Sequence, residues 1–534
     1  MPRKKPPPSL FKICLRAFAD WFLKAWLTGS RRVKENFGLE VHRFLSSRVP
    51  SVVADSLISQ LVETYVQRNE CNPDMHMSVF LHYIMLPQLN VIDLSEFRNL
   101  DVNTEGFFEY VIASAFHSVG RLVKISLQTD GKDNHIPLCT DRILKLIGKN
   151  CPQLKSLNVS YNRLVRNDGL QYLVPCSESP GCPLLEEIFV YKCTVSEIGV
   201  TNILRSLPNI RLIGYEKMVL CLLELYEQMT RDGSPLKERL KLTHVENRSR
   251  NFKRSRMRFN KRVVGVVCTL CPHLYHLKVH VADSDVPTLE QFKSLTSLEL
   301  TYKIQRPASP GEGTEYFLRV RGAQLRSLAI TCDVLHEMHI IMLRENCSNL
   351  KHLYLKCKRL ELCDLELEHD DTLSKSKFFK LESLCFFTGK EPLNPYSIFC
   401  QKLLTIHVAD EDVPKLEQFK SLTSLELTYK IKRPASPGEA VLKELMIALP
   451  GAKSNSAVID LSMSSVNKII SRAPHLQKLG DLFCWNVEKE EVLMLRDQMK
   501  ILNFDLNIMY HTMPVNWCFK LRKWEKSQIA VTGE

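Results

Sequence analysis

The feature that most constrains this chain is a phrase that returns along its length. It runs Cys, Leu or Ala, then Pro, any residue, Leu, two residues, an apolar residue, one residue and a second apolar one. Two full copies are Leu86-Pro87-Gln88-Leu89-Asn90-Val91-Ile92-Asp93-Leu94 and Cys151-Pro152-Gln153-Leu154-Lys155-Ser156-Leu157-Asn158-Val159. Others begin at Cys182, Leu207, Cys271, Cys347 and Ala473, and weaker ones centre on Leu122, Leu240, Leu295, Leu325, Leu381, Leu403, Leu422 and Ile459. The closing apolar-x-apolar pair places alternate side chains on one face of a short strand, and Pro fits a helix exit where the chain must turn. A single unit of this kind cannot bury its apolar edge, so neighbours have to stack.

The phrase resembles the leucine-rich repeat, in the variety where Cys-Pro ends one repeat's helix before the next strand. That resemblance implies an α/β fold, an irregular solenoid of the Cys-containing type. The anchors are spaced by about 19 to 33 residues, a broader range than the usual 20 to 29, so repeat boundaries vary. A near-identical duplication fits the same plan. His280 to Glu312 returns at His407 to Glu439 with three differences, Ser284/Glu411, Thr288/Lys415 and Gln305/Lys432. A stacked array accepts whole inserted units more readily than a closed domain does. The Arg-Pro-Ala-Ser-Pro-Gly stretches at 306–311 and 433–438 read as surface loops.

Composition adds limits. With 45% hydrophobic and 25% charged residues, the 534-residue chain has the balance of a folded globular protein. Eighteen cysteines are too sparse for a disulfide scaffold and no cleavable signal peptide precedes them, so a reducing cytoplasm or nucleus is expected. No apolar run approaches the length of a membrane span. The formal net charge of +13 suggests nucleic acid until it is located. Residues 1–35 carry a net +7, and residues 248–262 carry eight cations and no acid. The remaining residues come to about −2.

The amino terminus has its own pattern. Residues 9–27 lack Gly and Pro, with charges at Lys12, Arg16, Asp20 and Lys24 on one arc and a wide apolar sector on the rest. That sector is broader than one core needs, so the helix is expected to serve two surfaces. Ser9, Leu10, Cys14 and Phe18 resemble the BC box, the elongin C-binding helix of substrate receptors for cullin-RING ubiquitin ligases. Val49, Pro50, Val53 and Leu57 follow the apolar-Pro-x-x-apolar-x-x-x-apolar pattern of the cullin-2 box. Together they look like a VHL box, and ahead of leucine-rich repeats they resemble the Zyg/Zer receptors of cullin-2 ligases. The resemblance implies elongin B/C and cullin-2 as partners, with Leu10, Cys14 and Phe18 facing elongin C and Val49, Pro50, Val53 and Leu57 facing the cullin. That family continues into an armadillo region holding its degron pocket, whereas this chain stays in repeats almost to its end, so no substrate is implied.

The expected organisation is a basic Pro-rich tail at 1–8, a helical adaptor-binding region at 9–80, repeats at 81–246, a basic insertion at 247–262, repeats again at 263–510 and a tail at 511–534. Other readings stand beside this one. The amino-terminal helix could instead cap the repeat array, and then deleting residues 1–60 would destabilise the repeats; under the adaptor reading they would stay folded. An F-box-like receptor would use Val49-Pro50 to open a Skp1-binding domain. Arg248, Arg250, Lys253, Arg254, Arg256, Arg258, Lys261 and Arg262, interleaved with Phe252 and Phe259, could bind nucleic acid or an import receptor, but they read chiefly as a surface loop. Cys268, Cys271, His273 and His276 invite zinc, yet Cys271-Pro272 is the repeat phrase itself and no second ligand pair follows, so no metal or cofactor is expected. No catalytic motif is present, and the expected role is non-catalytic.

Overall fold

The computed structural model describes residues 9–28, 31–69, 83–95, 120–129, 138–177, 179–232, 240–247, 259–302, 309–357 and 359–361, with shorter stretches within 383–508. The chain divides into two compact units. One holds Pro7–Val279 with Gln291–Ser294, and the other holds Met1–Pro6, His280–Glu290 and Leu295–Glu534.

In the first unit three helices, α1 (Leu10–Thr28), α2 (Arg31–Arg48) and α3 (Ser51–Asn69), precede a parallel sheet. Its strands follow sequence order: β1 (Val91–Asp93), β2 (Lys124–Ser126), β3 (Ser156–Asn158), β4 (Glu187–Phe189), β5 (Leu212–Gly214), β6 (His244–Glu246) and β7 (His276–Val281), the last belonging here as far as Val279. Equivalent positions of the phrase lie side by side. Ile92 pairs with Ile125, Ile125 with Leu157, Leu157 with Ile188, and Ile188 with Ile213. Each of these side chains is buried, as is Val245 of β6, while the residues flanking the buried one in β3, β4 and β6 are half-exposed on the other face. A strand period of two, repeated in register, thus makes one apolar face and one polar face.

The Cys-Pro element closes a helix and opens the next strand. Cys151 ends α4 (Asp141–Asn150) by donating its N–H to Ile147 O at 2.8 Å, and its own carbonyl accepts from Leu154 N at 3.1 Å. Cys271 ends α8 (Lys261–Leu270) the same way, with Val267 O at 2.8 Å and Leu274 N at 3.4 Å. Burial pushes the Cys151 and Cys182 thiols up to about 12, so these sulfurs behave as small core groups rather than nucleophiles.

A second relay was not visible in the phrase. The first residue of each of three successive helices reaches the start of the next one. Asp141 of α4 accepts from Arg166 N at 2.8 Å, the residue before α5 (Asn167–Gln171). Asn167 accepts from Ser196 N at 2.9 Å, before α6 (Glu197–Ser206). Glu197 pairs with Lys217 Nζ at 2.5 Å, before α7 (Met218–Asp232). Helix N-termini carry unpaired N–H groups and a positive dipole end; in the first two cases an oxygen from the preceding helix accepts from a backbone N–H there, and in the third it meets a side-chain ammonium beside the helix start. Gly169 and Gly199 leave the room: a Cβ on either would collide with the Asp141 or Asn167 side chain.

The second unit repeats the register. Leu298 pairs with Leu328, Leu328 with Leu353, Leu353 with Leu384, Leu384 with Leu425, Leu425 with Leu479, and Leu479 with Ile508, all in parallel strands. The duplicated Ser-Leu-Glu-Leu-Thr-Tyr forms Ser297–Tyr302 in the first copy and Ser424–Tyr429 in the second. Ile459 departs from the expected phrase. Its strand, Ile459–Ser462, pairs with Trp485–Asn486 in a separate two-stranded sheet. In both units the architecture is mixed α/β, with a parallel sheet and helices, compatible with a solenoid.

Candidate functional site

α1 begins where the sequence placed it. Ser9 caps it, its Oγ accepting from Lys12 N at 3.3 Å while its carbonyl accepts from Ile13 N at 3.1 Å. The apolar sector then divides in two. Ala19, Phe22, Leu23 and Trp26 are buried, whereas Leu10 is 76% and Trp21 55% exposed and Cys14 is exposed. Phe18 lies half-buried between the two groups. Leu10, Cys14, Phe18 and Trp21 follow i, i+4, i+8 and i+11, so they share one face. The buried side is an aromatic stack. Phe22 stacks on Phe37 of α2 at 5.6 Å, Trp26 meets Tyr83 edge-on at 5.6 Å, and Trp21 meets Phe37 edge-on at 5.7 Å. The carboxy-terminal half of α1 is therefore part of the bundle core, and its amino-terminal half, with Leu10 and Cys14, presents an exposed apolar stripe that Trp21 borders.

Between Cys14 and Val49 lie the rest of α1 and one further helix, α2, whose first residues are Arg31 and Arg32. Pro50 separates α2 from α3. Val49 N donates to Leu45 O at 3.1 Å to finish one helix, and Pro50 O accepts from Val53 N and Ala54 N at 3.0 and 2.9 Å to start the other. Pro can begin a helix but not continue one. Pro50 is exposed, Val49 and Val53 are half-buried, and Leu57 is buried in the bundle. Val52, which the pattern skips, is 77% exposed.

The bundle is tied to the sheet through α3. Asp55 accepts from Asn90 N at 2.9 Å, Asn90 Nδ2 at 3.1 Å and Val91 N at 3.1 Å, the entry to β1. Gln88 Nε2 donates to Leu45 O and Val49 O at 2.9 and 3.2 Å, capping α2. The contrast drawn from deleting residues 1–60 therefore does not hold: the helices can cap the array and still present a free stripe.

Of the basic segment, Arg248, Arg250, Lys253, Arg254, Arg256 and Arg258 lie outside the described residues. Lys261 and Arg262 open α8, which Asn260 caps by accepting from Val263 N at 3.2 Å. Phe259 is fully buried and stacks on Phe292 at 6.3 Å, so it is a core residue, withdrawn from any stacking with bases. Cys271 is buried and Cys268 half-buried, its thiol pushed up to about 11 by burial. Among the described residues, no three His, Cys, Asp or Glu side chains are placed to hold a metal ion, and no helix is long and apolar enough to cross a membrane.

The half-exposed strand face carries polar contacts that the phrase leaves unspecified. Ser156 Oγ donates to Glu187 Oε2 at 2.8 Å, Asn158 Nδ2 to Gln128 Oε1 at 3.0 Å, and Tyr191 OH to Glu246 Oε2 at 2.7 Å. His244 and His276 lie 5.2 Å apart. Sequence reasoning missed Val52, Tyr191 and Glu246 as surface groups. Trp21 continues the Leu10, Cys14, Phe18 spacing on the same apolar arc.

No protein-family model matches the chain, and no curated protein matches it. Among solved structures, a chain from the crystal structure of the Rad7 and Elc1 complex in yeast is similar. It has 16% identity and a TM-score of 0.40, covering 72% of this chain and 94% of that one.

Proposed function

We propose that this chain is a non-catalytic substrate receptor of a cullin-RING ubiquitin ligase. Its body is a leucine-rich-repeat solenoid, and its amino-terminal helices dock elongin C and cullin-2. The observation that carries this reading is the division of α1: Phe22, Leu23 and Trp26 hold the helix in place while Leu10, Cys14 and Trp21 stay in solvent. A rigid amphipathic helix with a free apolar face is suited to a groove on another protein, and its ordering cost is already met by folding. Leu10, Cys14 and Phe18 would enter elongin C. On the cullin side, Pro50, Val49 and Val53 are accessible, whereas Leu57 would support the surface from beneath. Substrate would lie on the polar strand face, and the ligase would transfer ubiquitin by proximity.

The test is affinity purification of the full chain with mass spectrometry. Elongin B/C and cullin-2 are expected among the partners and lost together on Leu10→Ala plus Cys14→Ala. Skp1 with cullin-1, or elongin that survives the double substitution, would overturn the assignment.

A further inference from the structure

The polar face of β3–β6 has an aromatic centre. Gly214 brings no side chain to its position in β5, and the rings of Phe189 in β4 and Tyr191 just past it fill the space. A Cβ on Gly214 would stand 2.5 Å from Phe189 Cδ1 and 2.7 Å from Tyr191 Cε2. Tyr191 reaches over β5 altogether, its hydroxyl donating to Glu246 Oε2 of β6 at 2.7 Å. Gly214 is buried beneath the two rings, yet both rings stay half-exposed, so they cover the strand below and remain open above.

Carboxylates border the rings. Glu187 lies on the same face of β4 as Phe189, its Oε2 accepting from Ser156 Oγ at 2.8 Å, and Glu246 stands at the Tyr191 hydroxyl. Both acids are half-exposed, and each is positioned by a hydroxyl donor, so little ordering is left for a partner to impose. The other residues on this face of β3–β6 are Ser156, Asn158, Leu212, Gly214 and His244, with no Lys or Arg among them. Burial, and secondarily His276, hold the His244 imidazole uncharged at neutral pH. Lys278 of β7, opposite Glu246 in the register, bounds the area on that side. In a chain of net charge +13, acids thus outnumber cations around an aromatic centre.

That combination selects a ligand chemistry. Ring faces attract cations, and a guanidinium, planar and weakly hydrated, stacks on a ring while its N–H fork meets a carboxylate. Nucleic-acid bases also stack on exposed rings, but their phosphates would here meet Glu187 and Glu246. We propose that this face, centred on Phe189 and Tyr191, binds an arginine-bearing peptide segment, with the guanidinium over the rings and Glu187 and Glu246 accepting from it. The receptor reading gives the strand face to substrate, and on that reading an arginine-bearing segment is the class of substrate it takes.

Fluorescence anisotropy of the purified full chain at neutral pH, with a labelled Gly-Ser-Arg-Ser-Arg-Ser-Gly peptide and no ligase subunit present, tests it. Saturable binding is expected, weaker by about fivefold or more when Lys replaces both Arg. Glu187→Gln plus Glu246→Gln keeps an acceptor for each hydroxyl and removes both charges, so affinity should fall about tenfold or more. Phe189→Ala should weaken binding by a similar factor, and circular dichroism melts check that both variants are folded. Glu224→Gln plus Glu227→Gln, on the helix Met218–Asp232, should leave affinity unchanged. No binding of the arginine peptide, equal affinity for the lysine peptide, or equal losses from the helix-side pair would overturn the proposal. So would a single-stranded oligonucleotide whose binding depends on Phe189. Such a failure with elongin B/C still bound by the chain removes the substrate class and leaves the docking helix untouched, whereas loss of elongin binding alone leaves this surface standing.

Discussion

Asp283 shows how much one side chain can settle locally. Its carboxylate accepts from Gly311 N at 2.9 Å, Gly313 N at 2.8 Å, Thr314 N at 3.0 Å and Thr314 Oγ1 at 2.5 Å, at the start of helix Glu312–Arg321. Tyr302 OH adds a hydrogen bond to the Thr314 hydroxyl. Asp283→Ala should lower the unfolding free energy by about 2–3 kcal/mol, read from urea melts, and Asp283→Asn by less, because an acceptor is kept. His244 gives a pH dependence of definite sign. Burial, and secondarily His276, push its imidazole down to about 3, against a smaller opposing effect of Glu246. Above about 6.5 the ring is neutral in folded and unfolded chain alike. Below that value the unfolded chain takes up a proton that the folded one refuses until near 3, so stability is lost as pH falls through this window. Between pH 7 and 5 the loss should be about 1–2 kcal/mol, and His244→Gln should reduce it in melts at the two pH values. Neither residue was legible beforehand. A repeat phrase fixes which positions are apolar, but it says nothing of which polar side chain finds a helix end 28 residues away or a second imidazole on the neighbouring strand.

At the scale of elements, α1 was legible and its partition was not. The absence of Gly and Pro over residues 9–27 and the four-residue spacing of charge placed the helix to within a residue of Leu10–Thr28. Which half of a wide apolar sector turns inward depends on Phe37 and Tyr83, far along the chain. The two halves should separate cleanly by mutation. Phe22→Ala or Trp26→Ala should cost about 3–5 kcal/mol of stability, whereas Leu10→Ala plus Cys14→Ala should leave the melting curve unchanged within about 0.5 kcal/mol. The box at Val49–Leu57 was read from an apolar period, and that period belongs partly to the core. Leu57 is buried and Val52 is not, because α3 must pack on α1 and bond β1 through Asp55. For Val52→Asp the expected outcome is unchanged folding with loss of cullin from purified complexes, and for Leu57→Asp a chain that fails to fold in circular dichroism.

Across the whole molecule, the phrase called for units that stack on their neighbours, and the ladders of Ile92 to Ile213 and of Leu298 to Ile508 run parallel and in sequence order in their respective units. Register was readable because each strand whose side chains are described buries the same phrase position, and a slip by one residue would expose it. The helix-to-helix relay through Asp141, Asn167 and Glu197 was not readable, since an acid, an amide and an ion pair do one job with different side chains. The charge of +13 also resolves by location. The described cations of the second cluster, Lys261 and Arg262, begin a helix, and Arg262 lies 4.0 Å from Glu227. Whether the exposed half of α1 docks a partner is decided by titration calorimetry of the purified full chain with elongin B/C. Saturable binding is expected, weakening about tenfold or more on Leu10→Ala plus Cys14→Ala with the melting curve unmoved. Absence of binding by the unmodified chain, or equal affinity of the folded double variant, would contradict it.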